Sequence, residues 1–407
     1  KIMKPIVRAG RMKPVHSDIR GPLFVEAMKR QKQGIDILKL NTGNPATFGF
    51  GLPDSIKNAL MEHMQDGVGY CDFKGMPQAR QAICDYETSK GIKGITPDDV
   101  FIGNGVSEVV SFALTPLLND GDEVLVPSPS YSLWGNSVYL EDGKPVFYTC
   151  DEQANWYPDI QDIRSKITDK TKAIVIINPN NPTGVLYPKE LLLEIIQIAR
   201  ESGLLIFADE IYDRLVMDGK QHISLASLTE DVPVITLNGL SKSHCLCGYR
   251  CGWMVISGPR ELTEDYRQGI IQLTSLRLCA NTMAQIVIPA ALDDMETPAS
   301  MVRPGGRIYE QREATVRELE KIDGLSFVKN DAAFYVFPKL DVKKFNITND
   351  KQFAHDLLDV TNILLVPGSG FDWKNPDHFR IVMLPQADIL SDAIRRMGTF
   401  LDGYKQK

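Results

Sequence analysis

Short, nearly continuous apolar runs recur along the first three quarters of the chain, at 99–102, 123–127, 145–148, 173–178, 204–208, 234–237 and 252–256, set off by Gly, Pro, Asn and Asp. Runs that stay apolar instead of alternating predict strands buried on both faces. Between them, stretches over 107–118 and 190–202 carry apolar residues at helical spacing, the second opened by Pro188; these predict amphipathic helices. Strand and helix in alternation predict an α/β protein with a mostly parallel sheet.

Past residue 300 the pattern changes to one long helix over 306–322 and strands at 325–328, 333–337, 363–366 and 379–383, which predicts a second, smaller α+β domain. Residues 36–47 read as a strand and turn that return to this second unit. The expected organisation is an N-terminal arm with part of the small domain over 1–47, a large domain over 48–300 and the rest of the small domain over 301–407.

Composition excludes some roles. The chain has 407 residues and a net charge of −7, the wrong sign for a protein whose main partner is a nucleic acid. No apolar stretch approaches the roughly 18 residues of a membrane span. The first 40 residues are rich in Lys and Arg but hold no apolar signal core, so a cytoplasmic location is expected. Seven cysteines, an odd number, fit reduced thiols better than a disulfide framework.

Four segments carry candidate chemistry. At 103–105 a Gly-Asn-Gly turn between a strand and a helix beginning near Val106 and Ser107 offers backbone N–H groups to a phosphate. A dinucleotide fingerprint would need a third Gly where Glu108 stands, so a single phosphate fits better; an ordinary turn capped by Ser107 is the alternative. NPNNPTG, 178–184, places Asn side chains at the carboxyl end of a strand. LLIFADEIY, 204–212, delivers Asp209 to a buried strand end, where a carboxylate needs a cationic or protonated partner; capping the next helix is the alternative. NGLSKSHCLCGYRCGW, 238–253, confines Lys242 in a polar loop, where a neutral amine could form a Schiff base, with Arg250 eight residues on. His244, Cys245, Cys247 and Cys251 are metal-capable but interrupted by that loop, so no metal is expected. Ser326 and Lys329 match Ser-x-x-Lys without its companion motif and read as chance.

These four segments in this order resemble the pyridoxal-phosphate enzymes of fold type I, specifically the class I/II aminotransferases, over nearly the whole chain. DIRGP (18–22), LNTGNPATFGF (40–50), GYCDFKG (69–75) and PDHFRIV (376–382) are similar to the bacterial glutamate–pyruvate (alanine) aminotransferases. The resemblance implies a large cofactor-binding domain, pyridoxal 5′-phosphate as cofactor, and ping-pong transfer of an amino group between L-alanine and 2-oxoglutarate. It implies Lys242 as the Schiff-base lysine and proton shuttle, Asp209 as partner of the pyridine nitrogen, and Asn181 and Tyr212 on the phenolic oxygen, Asn181 bordering the substrate as well. Tyr131 would stack on the ring. Val106, Ser107, Ser241 and Arg250 would hold the phosphate, and Tyr70 would reach it from the other subunit of a homodimer with shared active sites. Arg380 would clamp the substrate α-carboxylate and Gly43 close over it, while Arg20 on the arm would meet a distal carboxylate.

The chain departs from that pattern at Ser17, where a tyrosine is expected, and at Ala332-Ala333, where relatives usually carry Gly before the aromatic. Competing readings are another class I transaminase acting on aspartate, aromatic or branched-chain amino acids, and a C–S lyase on the same fold. A ligand-sensing domain of a transcription regulator would need a DNA-binding module for which 1–35 are too few residues.

Overall fold

A computed structural model describes residues 2–407. Its centre is an eight-stranded sheet in the spatial order Val100–Asn104, Cys251–Ser257, Val234–Gly239, Leu205–Asp209, Thr171–Ile177, Glu123–Ser128, Lys144–Asp151, Tyr157–Pro158. Cys251–Ser257 runs antiparallel to both neighbours and Tyr157–Pro158 antiparallel to its one; the other pairs are parallel. All seven predicted apolar runs of the large domain are strands of this sheet.

Their apolar character follows from two-sided burial. In Thr171–Ile177, Ile174 and Ile176 pack in one core with Leu192, Ile195 and Ile196 of the helix Lys189–Ser202. Ala173, Val175 and Ile177 of the same strand pack in another core with Val109, Val110 and Ala113 of the helix Gly105–Leu114. At roughly 1.5–3 kcal/mol per fully buried side chain, these two layers fix the strand register. The chain steps outward from Glu123–Ser128 to Lys144–Asp151 and then returns to the other side of Glu123–Ser128, so strand order reverses there and a crevice opens at the carboxyl ends.

The second unit has its own core, including Leu40, Leu357, Phe379, Ile381 and Met397. Leu38–Lys39 pairs in parallel with Ile363–Leu364, so the N-terminal strand does return to the C-terminal part. Tyr335–Val336, Phe379–Val382 and Val366–Pro367 form a three-stranded antiparallel sheet.

Local expectations shift at several points: the strand expected over 363–366 divides into Ile363–Leu364 and Val366–Pro367 in separate sheets, and the helix expected to reach 118 ends at Leu114. The strand expected to end at Ile102 runs to Asn104, because Gly103 and Asn104 still pair with Gly252 and Cys251, and the helix begins at Gly105 instead of 107. The strand expected over 333–337 shrinks to Tyr335–Val336 because Ala333 takes φ 59°, a left-handed conformation in which a Cβ costs about 1 kcal/mol. Ala333 is one of the two alanines at which the sequence was expected to depart from glycine, and its φ lies in the region that favours glycine. The strand at 325–328 is only Leu325–Ser326. Among the described residues no helix is long and apolar enough to cross a membrane.

Candidate active site

Asp209 is the last residue of Leu205–Asp209, a strand buried at every position. Its carboxylate accepts hydrogen bonds from Trp134 Nε1 at 3.1 Å and from the Ile211 N–H at 3.4 Å. No cation is among these partners, and burial pushes its carboxyl up to about 6. Such an acid, bordering a cavity, is suited to a protonated ring nitrogen.

Three residues on, the Tyr212 hydroxyl lies 2.8 Å from that of Tyr335. Burial drives the Tyr212 phenol well above its ordinary pKa, so it remains a hydrogen-bond donor. Asn181, in the loop after Thr171–Ile177, accepts at its backbone oxygen from the Tyr131 N–H at 3.1 Å, which fixes Tyr131 at the cavity wall. Lys242 Nζ donates to the Gly43 carbonyl at 2.9 Å and stands 5.7 Å from the Phe334 ring centroid. A Cβ at Gly43 would collide with the Tyr335 hydroxyl, so glycine lets the backbone here pass against that ring.

A cradle lies at the other end of the cavity. The helix Gly105–Leu114 starts here with no side-chain cap, leaving the N–H groups of its first turn, including Val106 and Ser107, at the cavity. Arg250 donates from Nη2 to Ser107 Oγ at 3.0 Å and from Nη1 to the Cys247 carbonyl at 2.8 Å. Gly105 has φ 81°, and a Cβ there would lie 2.4 Å from Arg250 Nη2. A Cβ at Gly252 would lie 2.5 Å from the Val106 nitrogen. With Ser241 also on the wall, a cation, hydroxyls and a helix N-terminus converge as a phosphate requires. The negative charge of Glu108 is turned away, onto the Asn104 N–H and Nδ2 and onto Arg277 at 3.0 Å.

Arg380, on Phe379–Val382, is 1% exposed. Its guanidinium lies over the Tyr335 and Phe371 rings at 4.5 and 4.7 Å. Nη1 donates to Asn181 Oδ1 at 2.9 Å and Nη2 to the Asn41 carbonyl, while Nε has no partner among the described residues. No carboxylate pairs with it among the described residues, and burial lowers its pKa. A buried cation in this state is suited to an incoming carboxylate.

Twelve of the thirteen residues singled out in the sequence line one cavity of about 1120 Å³, Arg20 among them on the N-terminal arm. The exception is Tyr70, 83% exposed and away from the cavity of its own chain. The residues present fit pyridoxal phosphate: an unpaired buried acid, phenol and amide donors, a lysine and a phosphate cradle. The sequence reading assigned no role to Trp134, Tyr335, Asn41 or His16, although Asn41 lies within LNTGNPATFGF and Trp134 stands three residues past Tyr131. His244, Cys245 and Cys247 point to separate partners, Ser243, Met301 and Asn44.

The comparisons agree with this geometry. The family model described as aminotransferase class I and II matches residues 35–394. The glutamate–pyruvate aminotransferase AlaA of Haemophilus influenzae is 50% identical, over 99% of this chain and 100% of that protein. An alanine aminotransferase of Mycobacterium tuberculosis is 45% identical, over 99% of this chain and 94% of that protein. Among solved structures, an Escherichia coli aminotransferase superposes with a TM-score of 0.98 at 47% identity, covering 99% of this chain and 100% of that one. The alanine aminotransferase of Pyrococcus furiosus gives a TM-score of 0.92 at 41% identity, over 97% of this chain and 100% of that one. With its family model spanning most of the chain and its relatives matched end to end, the chain belongs to the class I and II aminotransferases.

Proposed function

We propose that this protein is an alanine aminotransferase that moves an amino group between L-alanine and 2-oxoglutarate, giving pyruvate and L-glutamate, in a ping-pong reaction with pyridoxal phosphate. The observation that carries the reading is Arg380, a buried guanidinium with no carboxylate partner among the described residues, in the same cavity as Lys242 and Asp209. The names of the relatives at 45–50% identity support the choice of substrates.

Bound pyridoxal phosphate supplies the amino-group carrier and an electron-withdrawing ring. Asp209, costly to ionise alone, holds a proton on the ring nitrogen. Tyr212 and Asn181 donate to the phenolic oxygen, and Tyr131 covers a ring face. Val106, Ser107, Ser241 and Arg250 hold the phosphate. Arg380 binds the substrate α-carboxylate, with Gly43 closing over it, which leaves the Cα–H toward Lys242; Lys242 Nζ then carries the proton away from Cα and returns it on the far side of the transfer. Residues 48–300 form the cofactor domain in this reading, and 1–47 with 301–407 carry Arg20 and Arg380 to it.

We also read the protein as a homodimer with shared sites. Tyr70, Val68 and Met64 are exposed beside Met283, where Thr282 Oγ1 donates to the Gly67 carbonyl and ties the two segments together. A second copy on this face would bring Tyr70 to its phosphate cradle. Seven free thiols support a cytoplasmic location.

The test is a panel of amino acids mixed singly with purified holoenzyme, following conversion of the pyridoxal to the pyridoxamine form by absorbance. Alanine and glutamate should convert it, and aspartate, aromatic and branched-chain amino acids should lag well behind. Elimination to pyruvate from cysteine conjugates without that conversion would replace the reading with a lyase.

A further inference from the structure

Three separate parts of the chain meet at His16. Its imidazole Nδ1 lies 2.7 Å from Asp18 Oδ2, and Nε2 lies 2.8 Å from Asp372 Oδ1. Its backbone is held too: the N–H donates to Asn136 Oδ1 at 3.2 Å, and the carbonyl accepts from Asn136 Nδ2 at 2.5 Å. Asn136 belongs to the helix Leu133–Leu140 beside the central sheet, whereas Asp372 follows the turn Gly368–Phe371 of the other unit. One residue of the arm thus ties a helix of the cavity wall to the other unit. Asp18 comes within reach because residue 370 is glycine, where a Cβ would stand 2.8 Å from the Asp18 Cβ.

The arm also reaches Arg380. The Ile19 carbonyl accepts from Asn41 Nδ2 at 2.9 Å, and the Asn41 carbonyl in turn accepts from Arg380 Nη2. Ile19 and Arg20 themselves form part of the cavity wall.

We propose that His16 is a positioning residue, a latch that holds the arm across the mouth of the cavity and thereby sets how tightly the amino-acid and oxo-acid substrates are held. This rests on reading that cavity as the substrate site. With the latch open, Asn41 loses its partner on the arm, and the cavity is open to water on that side.

Carboxylates only accept, so an imidazole engaged through both nitrogens donates from both and carries a charge. The bonds to Asp18 and Asp372 raise its pKa to about 10 against the opposing effect of burial. The other charged or titratable groups around it are Lys351, 3.5 Å from Asp18, Tyr139 near Asp372, and Asp350, which binds the Ser369 N–H and hydroxyl of the Asp372 loop. A group whose pKa is raised on latching stabilises the latch fully below its ordinary value near 6.5 and loses that effect as pH climbs through about 10. The latch is closed at neutral pH.

The experiment compares wild-type holoenzyme with His16→Gln, Asp372→Asn and the double variant, by hydrogen exchange over residues 15–21 and by steady-state kinetics. Each single variant should exchange faster across the arm, and KM for alanine and pyruvate should rise at least fivefold and by a larger factor than kcat falls. The double variant should be no worse than the more affected single one, since the pair acts as a unit. In the wild type the same rise in KM should set in above pH 9, and in His16→Gln that pH dependence should vanish. Unaltered exchange would overturn the latch. A freed arm with unchanged KM would overturn its effect on substrate, and additive losses would overturn the pairing. The exchange result does not depend on which amino acid is the substrate, so failure of the alanine assignment shows separately, in the amino-acid panel.

Discussion

Arg380 Nη1 donates to the side-chain oxygen of Asn181 at 2.9 Å, joining the residue proposed to clamp the substrate to one proposed to hold the cofactor. The bond runs from a buried cation to a neutral amide and leaves the charge of Arg380 uncompensated. Arg380→Lys keeps the charge but loses the planar fork, so kcat/KM for alanine and glutamate should fall together, by roughly 10- to 150-fold for the about 1.5–3 kcal/mol of a charge-assisted bond. Cofactor affinity, read by absorbance titration, should hold. A loss confined to one of the two amino acids would place the α-carboxylate elsewhere.

Among the described residues the Gly43 carbonyl is the one hydrogen-bond partner of Lys242 Nζ. Lys242→Ala removes a partly buried amine without removing packing from either core, so the fold should persist, with an unchanged circular-dichroism spectrum. Borohydride should fix cofactor to the wild type and not to the variant, and turnover should drop by several orders of magnitude. Recovery of label on another lysine would reassign the role.

Much of this site was legible because its motifs are local: Asp209, Tyr212, Asn181 and Lys242 each sit within a few residues of a strand end, and the strands are short, mostly apolar runs. What escaped is contact at long sequence separation. Trp134 meets Asp209 from 75 residues away, Tyr335 meets Tyr212 from 123, Asn41 meets Arg380 from 339, and His16 meets Asp372 from 356. No period or spacing encodes such pairs. The helix start at Gly105 was misplaced for a related reason, since Gly103 and Asn104 remain in the strand only through pairing with Gly252 and Cys251.

Asp209 sets function against stability. Without a cation beside it, the raised pKa means that the folded apoprotein resists ionising it. The penalty is absent below the ordinary value near 3.8, grows as pH rises, and is complete above about 6. At roughly 1.4 kcal/mol per pH step it reaches about 3 kcal/mol. Asp209→Asn keeps the shape and drops the charge, so the cofactor-free variant should melt higher than cofactor-free wild type at pH 7.5, with the margin shrinking at pH 5.5. Its transamination should slow by orders of magnitude. Near-normal turnover would reduce Asp209 to a structural cap.

Gly105 tests the phosphate cradle without replacing a charged residue. At φ 81° and with Arg250 Nη2 2.4 Å from the position of a Cβ, alanine would strain the backbone and displace the guanidinium from Ser107. Gly105→Ala should weaken pyridoxal phosphate binding at least tenfold in an absorbance titration, the loss of about one charge-assisted hydrogen bond. Unchanged affinity would move the phosphate away from this helix.

Arg20 bears on how one pocket takes both a dicarboxylate and alanine. It lines the cavity from the arm and is exposed, with no carboxylate paired to it among the described residues. A cation on a segment fastened at His16 and at Ile19 can meet a distal carboxylate, while Ile19 beside it closes over a methyl group. Arg20→Ala should therefore raise KM for glutamate and 2-oxoglutarate by roughly 10- to 150-fold, the about 1.5–3 kcal/mol of a charge-assisted contact, and leave alanine and pyruvate within a few-fold. Arg20→Lys should recover part of the loss, because charge matters here more than a fork. Equal losses on both substrate pairs would mean that Arg20 supports the arm instead of reading the carboxylate. No loss would send the search for that partner to the other side of the cavity.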